Sequence, residues 1–257
     1  PGHGGTCGKV FLAGDRVDFI SRSTYSYPYI DLAKATEDLV LYNGDEVRGM
    51  LDGNKYKVTI ADGATVTLRD VNIAVTERDK WPNITCEGHA TIINEGKNKL
   101  FAQYSECPCI FVPEKKTLTF EGNGYLLAHS DTEGTAIGAG WKTADCGNFI
   151  FNSGTIEAKS TCGTMNGGAA IGGCNNNQFH HSRQFGFIEI NGGHVIAYCR
   201  TGAAAIGSGH EVHNKGSIYI RGGVVEAVCD ENSDGAGIGG GYGGDSGTIV
   251  ITGGKVK

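Results

Sequence analysis

Four histidines, His180, His181, His210 and His213, stand in short polar stretches that each follow a recurring Ala-Ile-Gly phrase. Imidazole is the commonest protein ligand for zinc, copper and nickel, so with Glu211 beside them these side chains compose a candidate divalent-metal site. The competing reading is a set of hydrated loop residues. A His-x-x-His spacing gains its meaning on a helix, where positions three apart share a face, and a loop has no such register. The same stretches carry Trp141, Phe179 and Tyr242 together with Asp145, Asn175, Asn176, Asn177 and Asp245. Aromatic faces beside amides and carboxylates are what a sugar needs, a stacking surface and partners for its hydroxyls. Polar, Asn-rich turns are also what any solvent-facing connection looks like.

Catalysis would require paired carboxylates, or a base beside a cation. Glu157, Glu226, His194 and Arg221 are outward polar positions on or beside predicted strands and are the residues that could meet across them. His194 is expected in register with Thr155 and Val224, which is not a catalytic row. No G-x-S-x-G, H-E-x-x-H or P-loop motif occurs, and acidic D-x-D runs of the calcium-binding kind are absent. The sequence therefore nominates no catalytic residue, and a polysaccharide-active hydrolase or lyase stays as an alternative assembled from distant residues.

Nine cysteines are present, without a C-x-x-C pair; the tightest spacing is Cys107-Pro108-Cys109. An odd number leaves at least one thiol free or joined to another chain. Cys199 follows Ala197 by two residues and Cys229 follows Ala227 by two, so both occupy the same place in successive repeats. Adjacent strands lie about 4.8 Å apart, within disulfide reach, although in-register neighbours also pack as side-by-side thiols. Asn83-Ile84-Thr85 matches a glycosylation sequon.

The elements that would position these residues are legible as a repeat. The phrase reads Ala136-Ile-Gly-Ala-Gly140, Ala170-Ile-Gly-Gly173, Ala205-Ile-Gly-Ser-Gly209 and Gly237-Ile-Gly-Gly-Gly241, with isoleucines 34, 35 and 32 residues apart. A second phrase alternates with it: Phe149 to Ala158, Ile188 to Ala197, Ile218 to Ala227 and Ile249 to Val256. Each reads apolar, x, apolar, polar, small, Gly, x, apolar. Period-2 alternation on both sides of a small-Gly corner puts one inward row on each of two short strands. Weaker copies start at Thr117, Ala90 and Ala64, and Ile84 and Ile110 extend the isoleucine series upstream at spacings of 26 and 27. The pattern predicts an all-β fold, a right-handed single-stranded parallel β-helix (β-solenoid) with glycine-rich turns. Each coil would bury its apolar row against the coils above and below.

Composition agrees. Glycine supplies 42 of 257 residues, far above the usual share of roughly 7%. A formal net charge of -6 without a basic run removes the electrostatic footprint of nucleic-acid binding. No apolar stretch approaches the roughly 18 residues of a membrane span. Residues 1–30, including Thr24-Tyr-Ser-Tyr-Pro-Tyr29, are a candidate amino-terminal cap, and 31–257 the repeat domain. That domain stops inside a repeat at Gly253-Gly-Lys-Val-Lys257, which points to a piece of a longer chain or to end-to-end self-association that covers the open coil.

On the A-I-G phrases, the Gly-Gly-x-Val/Ile-x-Ala strands, Ile110-Phe-Val-Pro-Glu-Lys-Lys-Thr-Leu118 and Cys146-Gly-Asn-Phe-Ile150, residues 30 to 257 resemble the A-I-G-G-G-repeat β-solenoid proteins of gut and other anaerobic bacteria, often labelled carbohydrate-binding-domain proteins. The resemblance implies a secreted or cell-surface protein with polysaccharide or glycoprotein glycans as partners, and no catalytic set to carry over; no cofactor is expected beyond the candidate divalent metal. This chain departs in carrying more loop cysteine and histidine than that pattern demands. The expectation is a non-enzymatic exported module that binds glycans or another surface in an adhesin-like role; a polysaccharide-active enzyme and an end-to-end fibre are the alternatives.

Overall fold

In a computed structural model, the chain is described for residues 29–76, 81–103, 106–141, 143–163, 167–174, 183–213, 216–231 and 233–257. Most of the proposed cap, with Cys7, lies outside these residues, as do Asn175, Asn176, Asn177, Phe179, His180 and His181. The described chain is an all-β parallel solenoid, as the repeats require. Helix is confined to single 3-10 turns such as Leu32–Lys34, where the Asp31 carboxylate accepts from the Ala33 N–H at 3.1 Å.

Each full coil contributes three strands, one to each face of the stack. The first face is an 8-stranded sheet of very short strands: Leu39–Leu41, Val58–Ile60, Ile84–Cys86, Ile110–Phe111, Ile137–Gly138, Ile171–Gly172, Ile206–Gly207 and Ile238–Gly239. We number the coils one to eight by these strands. Their registers place Ile84, Ile110, Ile137, Ile171, Ile206 and Ile238 in one column, so the upstream isoleucines extend the series as expected. The second face stacks Ala90–Glu95, Thr117–Gly122, Asn148–Phe151, Phe187–Ile190, Ser217–Ile220 and Thr248–Ile251. The third stacks Lys97–Ala102, Tyr125–Ser130, Thr155–Ser160, His194–Cys199, Val224–Cys229 and Lys255–Val256. The early strand Ala64–Val75 serves both: its first half pairs with Ala90–Glu95 and its last residues pair with the strand that ends at Ala102.

The core is the space between the three faces. On the second face one inward column runs Val66, Ile92, Phe120, Phe151, Ile190 and Ile220, all buried, with the rings of Phe120 and Phe151 stacked 4.9 Å apart. The last rung leaves its inward Ile249 and Ile251 exposed, while Ile218 and Ile220 beneath them are fully buried. Polar side chains also tie coil to coil at the corners. Asp38 accepts from the Lys57 N–H, Asn43 from Thr65, Asp62 from His89 and Asn148 from Phe187, at 2.7 to 3.0 Å. In each case a side chain of one coil satisfies a corner amide of the next, which strand pairing cannot reach.

The glycine of the A-I-G phrase is required twice over. Gly138, Gly172 and Gly207 have φ of 142°, 132° and 142°, a region that disfavours a Cβ. The added Cβ would also lie well inside van der Waals contact of the carbonyl oxygen of the matching glycine one coil on. That carbonyl is already in use: Ala139 N–H donates to Gly172 O at 3.0 Å and Gly173 N–H to Gly207 O at 2.9 Å. At Gly239 the φ of 145° persists, but the nearest atom to an added Cβ is the Ala236 methyl at 3.2 Å. Gly172→Ala is expected to destabilise the fold by about 3 kcal/mol and Gly239→Ala by about 1 kcal/mol, read from urea unfolding midpoints. Equal losses would assign the whole requirement to backbone conformation.

Candidate functional site: the loop edge beside the first face

Leaving the first-face strand, the chain makes the same tight turn in three coils. The Thr143 N–H donates to Gly140 O at 3.1 Å, Val212 to Gly209 O at 3.3 Å and Gly244 to Gly241 O at 3.0 Å. The second residue of this turn is Trp141 in coil five, His210 in coil seven and Tyr242 in coil eight. Because the coils are in register, equivalent turn positions stack. The rings of His210 and Tyr242 lie 5.3 Å apart and 16° from parallel; His210 is only 7% exposed beneath, and Tyr242 is 50% exposed above it. Main-chain bonds lock the pair of turns together, from Glu211 N–H to Tyr242 O at 2.7 Å and from Asp245 N–H to Val212 O at 3.1 Å. His213 Nδ1 and Asp245 Oδ2 meet at 3.0 Å, both side chains open to solvent.

The predicted site residues thus fall into two groups. Tyr242, Asp245, His210 and His213 come together on coils seven and eight. Trp141, half-buried, and Asp145 stand two coils away. One oxygen of Asp145 accepts from the Gln184 N–H at 3.0 Å and staples coil five to coil six. Beside it lies a shallow groove of about 330 Å³, lined chiefly by Glu114, Lys115, Asp145, Asn148, Gln184 and Phe185. Sequence reading did not nominate Glu114, Lys115 or Gln184 as site residues, since Glu114 and Lys115 belong to coil four and Gln184 to coil six, and only the winding of the stack brings them together. Among the described residues, no group of three His, Cys, Asp or Glu side chains converges as a metal site. His210 faces Tyr242, and its Nδ1 is 3.9 Å from Glu211; His213 is engaged by Asp245.

The third face carries three of the other nominated ionisable residues, Glu157, His194 and Glu226. His194 is in register with Thr155 and Val224, as expected, and its Nε2 is 3.3 Å from Glu226. Glu226 also pairs with Lys257 at 2.6 Å, while Arg221 pairs with Glu189 at 3.3 Å on the second face. Glu157 bonds Lys159 at 2.5 Å and accepts from the Tyr125 hydroxyl. Glu157 and Glu226 do not meet: Ile196 occupies the rung between them. Burial by itself would raise Glu157, but Lys159 and the Tyr125 hydroxyl bring its carboxyl below the usual range. Lys257, with His194, does the same for Glu226, and burial together with Glu157 pushes the Tyr125 phenol up to about 12. Both carboxylates are therefore held ionised.

No family model, curated protein or solved structure matches the chain. Its chemistry has to be read from its own side chains. Asn83, the sequon residue, is fully buried and donates its amide to Ile73 O and Phe101 O at 3.1 and 3.0 Å, so the folded chain offers no acceptor amide there. Among the described residues no helix is long and apolar enough to cross a membrane.

The depressed carboxylates make a pH prediction. Glu46, Asp62, Glu157 and Glu226 bind a proton more weakly in the folded chain than in an unfolded one. Their stabilisation is present above the ordinary carboxylate pKa, about 4.5 for glutamate, and is lost as pH falls through the lower folded values. Glu157→Gln is expected to cost about 1 kcal/mol at neutral pH, with its unfolding curve converging on that of the wild type as the pH is lowered below about 4. Thermal unfolding from pH 7 to 2.5 measures this, and a constant offset at every pH would show that the charge of Glu157 plays no part.

Proposed function

We propose that the chain is a non-catalytic module of an exported bacterial protein, secreted or held at the cell surface, that binds glycans along the loop edge beside the first face. The observation that carries this reading is the recurrence of one turn whose second residue is Trp141, His210 or Tyr242. Tyr242 is the exposed ring of this edge, seated on His210, with the half-buried Trp141 two coils from that pair. Tyr242 offers a large amphipathic ring, pre-ordered by the His210 ring behind it, so little side-chain entropy remains to be lost on binding. His213 and Asp245, paired and open to solvent, stand beside it as donor and acceptor for sugar hydroxyls.

A polysaccharide-cleaving enzyme is the alternative, and the third-face carboxylates are its best support. Two rungs separate Glu157 from Glu226, about 9.6 Å between main chains, near the upper end of carboxyl spacings in inverting glycosidases. Such an enzyme needs one carboxyl kept protonated by a raised pKa, and here both are lowered. That favours binding without turnover.

A panel of polysaccharides and mucin glycans, scored in the same wells for retention of the protein and release of reducing ends, tests the proposal. Retention without release is expected, with Tyr242→Ala weakening it about tenfold, as for loss of one stacking ring. Release of reducing ends would overturn the non-catalytic reading, and retention indifferent to Tyr242→Ala would move the site off this edge.

A further inference from the structure

The inward row at the end of the third-face strands runs Ala102, Ser130, Ser160, Cys199 and Cys229, one residue per coil and in register. Its structural duty is visible in the serines. Ser130 donates to Gly134 O and Ser160 to Gly168 O, each at 2.9 Å, satisfying a carbonyl in the corner that leads back to the first face. Cys229 makes the equivalent bond to Ala236 O at 3.2 Å, and Cys199 lies 3.1 Å from Thr201 Oγ1. Serine fills this role with a shorter, stronger bond, so two consecutive cysteines in the row add only what oxygen lacks, the chemistry of sulfur.

We propose that Cys199 and Cys229 form a dithiol site that exchanges with low-molecular-weight disulfides and closes into an inter-coil disulfide between coils six and seven. Neighbouring parallel strands set their Cα atoms about 4.8 Å apart, inside the usual disulfide range of about 4.4–6.8 Å. The two sulfurs differ in access. Cys199 is fully buried, while Cys229 alone among the described cysteines is part exposed. They differ in acidity as well. With the Cys199 thiol beside it, Cys229 is brought down to about 7, whereas burial pushes Cys86 and Cys109 up to about 12. Exposure and acidity both assign Cys229 as the attacking thiolate and Cys199 as the resolving thiol.

The exchange balances in two steps. The Cys229 thiolate attacks one sulfur of an external disulfide, forming a mixed disulfide and expelling one thiolate. Cys199 then attacks the Cys229 sulfur, expelling the second thiolate, which takes up the Cys199 proton. The external disulfide is reduced to two thiols and the protein pair is oxidised to one S–S bond.

Incubating the whole purified chain with oxidised glutathione, followed by intact-mass measurement and peptide mapping without reductant, tests this. The expected product has lost two hydrogens, carries no adduct, and links the peptides containing Cys199 and Cys229. Cys199→Ser is expected to stop at a stable glutathione adduct on Cys229, and Cys229→Ser to give neither product. Serine is what this row already holds in coils four and five, so both variants should fold, and far-UV circular dichroism checks it. A persistent adduct on wild-type Cys229, a bond between any other pair, or no reaction would overturn the proposal. A native-state alkylation series gives a second, variant-free reading: iodoacetamide should label Cys229 before any other described cysteine, and labelling that starts elsewhere counts against it.

Discussion

The stack depends on the carbonyl of each Ile-Gly step accepting a hydrogen bond from the coil before it. That bond forms only if two main chains approach with nothing between them, which removes the side chain from the second residue of every step. Once Gly138, Gly172, Gly207 and Gly239 are superposed, the isoleucines preceding them must form a column, and the other two faces follow in register. Each coil buries its apolar rows only against its neighbours, so stability is a sum of such contacts rather than the property of one central core.

The same superposition creates the loop edge. In coils five, seven and eight a turn of fixed length puts its second residue at a fixed place, and where two such coils are adjacent a ring there meets whatever the next coil carries. His210 and Tyr242 stack for this reason and not through any special affinity between them. The edge combines a hydrogen-bonded main chain with exposed side chains such as Tyr242, His213 and Asp245, the arrangement in which loops on a scaffold acquire binding roles. The third face presents its ionisable groups differently. Its strands are paired in register, and its carboxylates are each neutralised by a lysine within reach.

The row that ends at Cys229 shows how a repeat can diverge without disturbing its fold. Ser130, Ser160, Cys199 and Cys229 all face the interior from equivalent positions and make comparable bonds to the corner main chain or its neighbours. Exchange of oxygen for sulfur leaves that geometry in place while changing the reactivity. Conversely, Asn94 and Asn98 depart from the apolar rows of their faces. Both are fully buried, and Asn98 donates to Asn94 Oδ1 at 2.6 Å and to Leu68 O at 3.1 Å, holding the corner where Ala64–Val75 passes between faces.

From sequence alone the coil was legible: the alternation of Phe149 to Ala158 and its copies, the Ile-Gly spacing, and even the upstream rungs at Ile84 and Ile110. The pairing of Cys199 with Cys229 was legible for the same reason, because equal offsets within a repeat become neighbours on the same face. What only the tertiary structure decided involves residues at unequal offsets. Glu157 meets Tyr125 diagonally on the adjacent rung, Asp145 spends an oxygen on the corner amide of Gln184, and Asn83 turns inward to bridge Ile73 and Phe101. A repeat specifies its own periodic contacts because translation along the axis maps one coil onto the next. Contacts that break that translation depend on side-chain reach and corner geometry, which no local phrase encodes.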